Sequence, residues 1–385
     1  MSRSDFTAKE FAGRLARVRA EMRLQNLDWL VAVHPVSIHW LTGSDAKSYQ
    51  EFQCLLVGAQ DEPLVVLTRH GEKHEFETDS LADEVHWFGG GENEDPIEAF
   101  AALARRHGLL GKRIGLEVPA FYLHPYHYLA LRDLMGDALI TESTDLIPRL
   151  KLVKSPAELG YIRRAAAIAD LGMDRFKRDL AAGATELTLA GGVYETLLSN
   201  GSGIAASPIN LVSGPRSAYS HGAPTERVLQ RGDYVNIEFG ATYRRYTATI
   251  GRQFVLGRPT PRMLELYDVV RDASDAMTAA IRHGVSARLP HEAARAVIGK
   301  AGLEPYRVHL SGYGLAPGFP PSWAEPLHMI GGSPNVLEAG MVVTVEPPVF
   351  IGAEGLGARI IDTLLVTQTG AERLGKSSRD LIVVE

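Results

Sequence analysis

The run HGAPTERVLQRGDYVNIEFGATYRRYTATIGRQFVL, residues 221–256, decides how this chain is read. From Tyr234 onward it reads as two strands joined by a turn at GATYRR, residues 240–245. The acid Glu238 sits inside the apolar segment VNIEFG, where an unpaired carboxylate is costly, so it is expected either to be paired or to face a polar site. A glycine- and serine-rich loop, residues 200–226, leads into the run and carries His221 near its end.

Working outward, the stretch before that loop holds two long helices, the first starting at Ser155-Pro156, where Ser caps and Pro occupies the first turn. After the hairpin come helical segments at 263–284 and 291–302, a proline-rich loop GYGLAPGFPPSW at 312–323, and strands at MVVTVEPPVF (341–350) and ARIIDTLLVT (358–367). This half is expected to be α+β, a helices–hairpin plan used twice. The other half opens with Phe11, Leu15, Val18 and Met22 at helical spacing, followed by the strand-like runs LDWLVAV, CLLVG, PLVVLTR and RIGLEV and a helix at HYLALRDLM. That alternation predicts a smaller α/β domain. The expected division is 1–154 and 155–385.

With 385 residues, two cores are the natural expectation. A formal net charge of -6 with scattered Lys and Arg argues against nucleic-acid binding. Cys54 is the single cysteine, so neither an internal disulfide nor a cysteine zinc site can form. The charged amphipathic start and the lack of a long apolar window predict a cytoplasmic chain without membrane contact.

The phrases HGAPTERVLQRGDYVNIEFG, HLSGYG (309–314), GMVVTVEPPVF and ARIIDTLLVT, in this order and spacing, resemble the creatinase and aminopeptidase P family. The resemblance implies a catalytic half with the pita-bread fold, a smaller N-terminal α/β domain and a homodimer. In metal-dependent members two aspartates, a histidine and two glutamates hold two metal ions. Those positions read Glu238, Thr249, Tyr313, Glu346 and Ile361 here, which implies that the dinuclear site is lost and that neither metal nor other cofactor is needed. Within the family the segment around His221 is similar to that of creatinase, and EFGATYRRY and GYGLAPGFPPSWAE are similar to ectoine hydrolases.

The resulting expectation is a metal-independent hydrolase that opens a C–N bond in a small amidine or guanidine. His221 is the general acid and base, with Glu238 and Glu346 holding the cationic group. Tyr313, His309, Tyr246 and Thr249 are expected around the substrate. Trp323, beside Phe319, would form an aromatic wall, and Tyr49 and Gln53 would come from the N-terminal domain of a partner. Arg244, Arg245 and Arg252 are the cations available for a substrate carboxylate, and Arg244 or Arg245 could instead neutralise Glu238. Two rivals stand beside this reading: a metal-dependent Xaa-Pro dipeptidase or aminopeptidase with an atypical site, and a non-catalytic peptide-binding module.

Overall fold

A computed structural model describes residues 5–91 and 94–385. Residues 1–4 of the amphipathic start lie outside the described residues. The chain divides into two compact units, Met1–Lys151 and Leu152–Glu385.

The first unit opens with α1 (Ala8–Leu24), whose N-cap Thr7 accepts from the Glu10 amide and which buries Phe11, Val18 and Met22 on one face. β1 (Trp29–Ala32), α2 (Pro35–Thr42), β2 (Cys54–Gly58), β3 (Val65–Arg69), α3 (Lys73–Asp79) and β4 (Glu84–Phe88) follow. Then come α4 (Pro96–Arg106), β5 (Ile114–Leu116), α5 (Pro125–Met135), β6 (Leu139–Glu142) and α6 (Leu146–Leu150). The strands form one sheet in the order β4-β3-β2-β1-β5-β6. β2 is antiparallel to both its neighbours, and the other adjacent pairs are parallel. Alternate residues of β1 join separate cores, Trp29 and Val31 packing with α4 and α5, Leu30 and Ala32 with α1 and α2. β4 and β6, which the sequence reading leaves unassigned, are the sheet's edge strands, and their partial exposure weakens the apolar signal.

The second unit begins with α7 (Pro156–Asp179), entered through a capping box in which Ser155 and Glu158 bond each other's backbone amides. α8 (Glu186–Ser199), β7 (Asn210–Ser213), β8 (Tyr234–Tyr243) and β9 (Tyr246–Leu256) follow, then α9 (Pro261–Ala280) and α10 (Arg288–Lys300). The rest is β10 (Tyr313–Phe319), β11 (Ser322–His328), β12 (Val342–Val345), β13 (Val349–Ile351), β14 (Leu356–Ala358), β15 (Asp362–Val366), β16 (Ala371–Arg373) and β17 (Ile382–Val384). The main sheet runs β16-β15-β12-β10-β9-β8-β7, with β11 on β10 and β17 on β9.

Two expectations change. The turn of the central hairpin is shorter than GATYRR: pairing continues to Tyr243↔Tyr246, and Arg244 and Arg245 alone make the reversal, both at positive φ (51° and 67°). The proline-rich segment 312–323 is no loop but most of the β10–β11 pair. Its prolines and glycines suppress strand propensity, and pairing on both sides of β10 overrides it.

Along β8, Val235, Ile237, Phe239 and Ala241 pack on α7 and α8. Period two therefore turns Asn236, Glu238, Gly240 and Thr242 to the opposite face. The register sets Gln253, Gly251, Thr249 and Thr247 of β9 beside them. This polar face is what positions the site. Among the described residues no helix is long and apolar enough to cross a membrane.

Candidate active site

Three buried ionisable groups meet at that face. Glu238 lies opposite Asn210 of β7, and the register lets Asn210 Nδ2 donate to Glu238 Oε2 at 3.1 Å. The same oxygen takes a direct ion pair from Arg359, in the short connection between β14 and β15. Two further nitrogens of Arg359, Nε and Nη1, are buried and make no hydrogen bond to the described residues. Glu346 follows the last residue of β12, where its amide bonds the Ser311 carbonyl at 2.8 Å and Pro347-Pro348 ends the ladder. It is 1 % exposed, and its Oε1 has no hydrogen-bond partner among the described residues.

Two imidazoles border this group. His221 sits in an exposed loop that the chain has clamped from several sides. The Glu186 carboxylate, at the first turn of α8, accepts from Ser213 Oγ at 2.7 Å and from the Thr225 amide at 2.9 Å, and pairs with Arg216. Arg216 in turn donates to the Ala223 carbonyl at 2.8 Å. The loop's return against β7 is closed by Leu211 N–H to Gly222 O at 2.9 Å. A side chain at Gly222 would lie 2.4 Å from Val212 Cγ1, so only glycine lets the backbone come this near beside His221. The His221 ring lies edge-on to His309, with centroids 5.0 Å apart. His309 Nδ1 is 3.1 Å from its neighbour's carbonyl, Leu310 O, and 3.7 Å from Glu346 Oε1.

Burial drives the electrostatics. The Glu346 carboxyl is held well above the usual carboxylate range by desolvation first and by the neighbouring Glu238 second, against the pull of Arg359. Both imidazoles are pushed the other way, below the ordinary histidine value, by burial and then by Arg359. The site therefore sets a carboxyl of raised proton affinity next to an ion-paired acid and two imidazoles of lowered basicity. Two carboxyl groups driven to different states by their surroundings are the usual basis for dividing acid and base roles.

The remaining expected residues fall into two sets. Tyr313, first residue of β10, accepts a hydrogen bond from Trp323 Nε1 at 3.1 Å, and its phenol is pushed up by burial and by Glu346 and Glu238. Tyr313 thus lies beside the acidic pair, with Trp323 bonded to it. Thr249 is bound to β15 instead, its amide donating to Thr363 Oγ1 at 2.8 Å and the two hydroxyls lying 3.3 Å apart. The single hydroxyl proton of Tyr246 goes to Glu158 Oε1 at 2.8 Å, which ties it to the cap of α7. Tyr49 belongs to the first unit, edge-on to Tyr122 at 5.9 Å, and Gln53 is buried there as well. Arg252 pairs with Asp362 at 2.8 Å, while Arg244 stacks by Tyr161 and Tyr243 and Arg245 lies 4.1 Å over the Phe319 ring. The cation that meets Glu238 is Arg359, which the sequence reading passed over inside ARIIDTLLVT. The available signal was an arginine embedded in an apolar run, which is costly unless paired.

The side chains do not fit a pair of bridged metal ions. Ile361 presents hydrocarbon, packed into the space left by Gly251. Thr249 is bonded to Thr363. A fixed guanidinium is bonded to Glu238, so one of the two remaining carboxylates already has a cation.

Two family models match the chain: metallopeptidase family M24 over residues 160–368, and the creatinase/prolidase N-terminal domain over residues 14–153. A probable dipeptidase PepE of Mycobacterium tuberculosis is 30% identical over 384 residues, 98% of each chain. The Xaa-Pro dipeptidase of Pyrococcus furiosus is 33% identical over 238 residues, 62% of this chain and 67% of that one. Among solved structures, dipeptidase PepE from Mycobacterium ulcerans superposes with a TM-score of 0.86 at 28% identity, covering 98% of this chain and 99% of the other. An Xaa-Pro dipeptidase from Bacillus anthracis gives 0.85 at 24% identity over 97% and 100%, a likeness of fold. The second unit is thus a pita-bread domain and the first a creatinase-type N-terminal domain. The names these relatives carry are peptidase names, and they overturn the expectation of an amidine or guanidine hydrolase of the ectoine hydrolase or creatinase kind. Metal independence, which was expected from the replaced ligand positions, gains no support from these relatives. The rival that they favour is the metal-dependent Xaa-Pro dipeptidase or aminopeptidase with an atypical site.

Proposed function

The chain belongs to metallopeptidase family M24, and from that premise we propose that it hydrolyses the C–N bond of short peptides, dipeptides above all. The site is the cluster of His221, Glu238, His309, Glu346 and Arg359. The observation that carries this reading is the buried pair of acids in unlike surroundings, Glu346 raised and with its Oε1 making no hydrogen bond to the described residues, Glu238 fixed by Arg359.

Peptide hydrolysis needs a base for water, a donor for the oxyanion and an acid for the leaving nitrogen. His221 takes a proton from water as the oxygen attacks the carbonyl carbon. The buried N–H groups of Arg359 hold the charge that forms on the carbonyl oxygen. Collapse breaks the C–N bond, and the amine departs with the proton of Glu346. The proton on His221 returns to Glu346 across His309, which contacts both. Tyr313, buried beside the acids and held by Trp323, helps keep water from them. Each step uses a group of this chain, and none is routed through a metal.

A dipeptide panel containing Xaa-Pro and other sequences, read by release of free amino acids, tests the proposal. The wild-type protein is expected to release both products and Glu346→Gln to release them about 10²- to 10⁴-fold more slowly. Absence of release from every dipeptide, with chelator and with Mn2+ or Co2+ alike, rejects the reading. Release only with added metal would reassign Glu238 and Glu346 as ligands.

A further inference from the structure

Away from this cluster, the first unit gathers three metal-ligating side chains at one end of a strand and helix. Glu84 and His86 are two residues apart on β4, so the pleat turns both to one face. His107 caps the C-terminus of α4, its amide bonded to Leu103 O at 2.9 Å, which points its ring back at the same strand. His86 Nε2 lies 3.0 Å from Glu84 Oε2 and His107 Nε2 lies 3.5 Å from it. One donor atom from each residue falls within 4.8 Å of the others.

Hydrogen bonding does not complete this arrangement. His107 is 11 % exposed at its side chain, and its Nε2 is buried with no hydrogen-bond partner among the described residues. A buried imidazole nitrogen left in this state is unfavourable. The ring is held in place by an edge-on contact with Trp29, centroids 6.2 Å apart, so it is not turned outward to water. Arg106 reaches the same carboxylate at 3.5 Å, but its side chain is 61 % exposed and can leave the rim.

We propose that Glu84, His86 and His107 form a zinc-class metal site in the N-terminal unit, with water completing the coordination. Two imidazoles and one carboxylate suit a borderline divalent ion rather than Mg2+ or Ca2+, which favour all-oxygen shells. Zinc bonds of about 2.0–2.2 Å to nitrogen and oxygen separate ligand atoms by little more than 3 Å, close to the spacing present before any adjustment. The ion would supply the missing partner of His107 Nε2 and replace the cation of Arg106. It would join the start of β4 to the end of α4, the two ends of one strand–helix unit.

The test uses the whole chain and ZnCl2 alone. Calorimetric titration of the wild type, of His86→Gln, of His107→Gln and of Glu238→Gln separates this site from the catalytic cluster. The expected result is roughly one equivalent of Zn2+ lost in both histidine variants and retained in Glu238→Gln. Co2+ titration gives a second reading: the visible bands of a low-coordinate nitrogen- and oxygen-ligated Co2+ should appear in the wild type and vanish in the two variants. Zinc should also raise the melting temperature of the wild type and leave that of the histidine variants unmoved. Identical Zn2+ stoichiometry and affinity in wild type, His86→Gln and His107→Gln would overturn the proposal, as would loss of the bound ion in Glu238→Gln alone.

Discussion

Arg359 and Glu238 form an ion pair almost wholly out of water, with side chains 1 % and 6 % exposed. Such a pair is weak evidence for stability, but breaking one side of it leaves a buried charge without compensation. Arg359→Met should lower unfolding free energy by about 3–5 kcal/mol, and adding Glu238→Gln should recover part of that loss. Urea denaturation of the two single variants and the double variant measures it. Strictly additive losses would mean that the two groups do not share their stabilisation.

Glu346 and His221 should set opposite limbs of the pH profile. Glu346 acts as an acid only while protonated, and its raised affinity for the proton extends that state toward neutrality. His221 acts as a base only while neutral, and its lowered value brings that state down to mildly acidic pH. Activity should therefore rise below the ordinary histidine value and fall above the ordinary carboxylate range. Glu346→Gln should reduce kcat by about 10²- to 10⁴-fold and remove the alkaline limb, while His221→Ala removes the acid limb. An alkaline limb that persists in Glu346→Gln would assign it to another group.

A methyl group on Gly240 would lie 2.8 Å from Trp323 Cζ3 and 3.2 Å from Thr247 Cγ2. Gly240→Ala should thus push the indole off β8, break its bond to Tyr313 and cost about 1–3 kcal/mol. Near-ultraviolet circular dichroism and denaturant melts report both effects. Gly160, exposed on α7 with nothing within 4 Å of a new methyl, is the contrast. There Gly→Ala should stabilise by about 0.5–1 kcal/mol through helix propensity.

Glu117 follows β5 fully buried, accepting from the amides of Val33 and His34 at 2.9 Å each and from Ser37 Oγ at 2.6 Å. Burial outweighs these bonds and pushes its carboxyl up to about 7. Between the unfolded value of about 4.3 and the folded one, the folded chain holds a proton that the unfolded chain releases. Stability from this group is therefore full at low pH and declines by about 3 kcal/mol as pH rises through that window. Glu117→Gln should flatten this component, which urea melts between pH 5 and pH 8 would show. Equal slopes in wild type and variant would contradict it.

Much of this was legible in the chain itself. The 3.6-residue spacing of Phe11, Val18 and Met22, the Ser155-Pro156 helix start and the apolar runs named α1, α7 and the central hairpin, because those signals are local. The acids Glu238 and Glu346 stood out as charges inside apolar strands. The edge strands β4 and β6 and the proline-rich β10 did not, since their pairing and not their composition makes them strands.

What the sequence determined by itself was therefore the family-level architecture and a short set of charged residues that had to be paired or functional. Tertiary structure alone decided their partners. Glu238 meets Arg359, 121 positions away, rather than Arg244 or Arg245 a few residues along, because the two-residue turn carries those side chains onto Tyr161 and Phe319. The same packing removes water from Glu346 and brings His309 to it. Desolvation and distance set the protonation of a carboxyl, and both depend on where distant strands return, which no local pattern encodes.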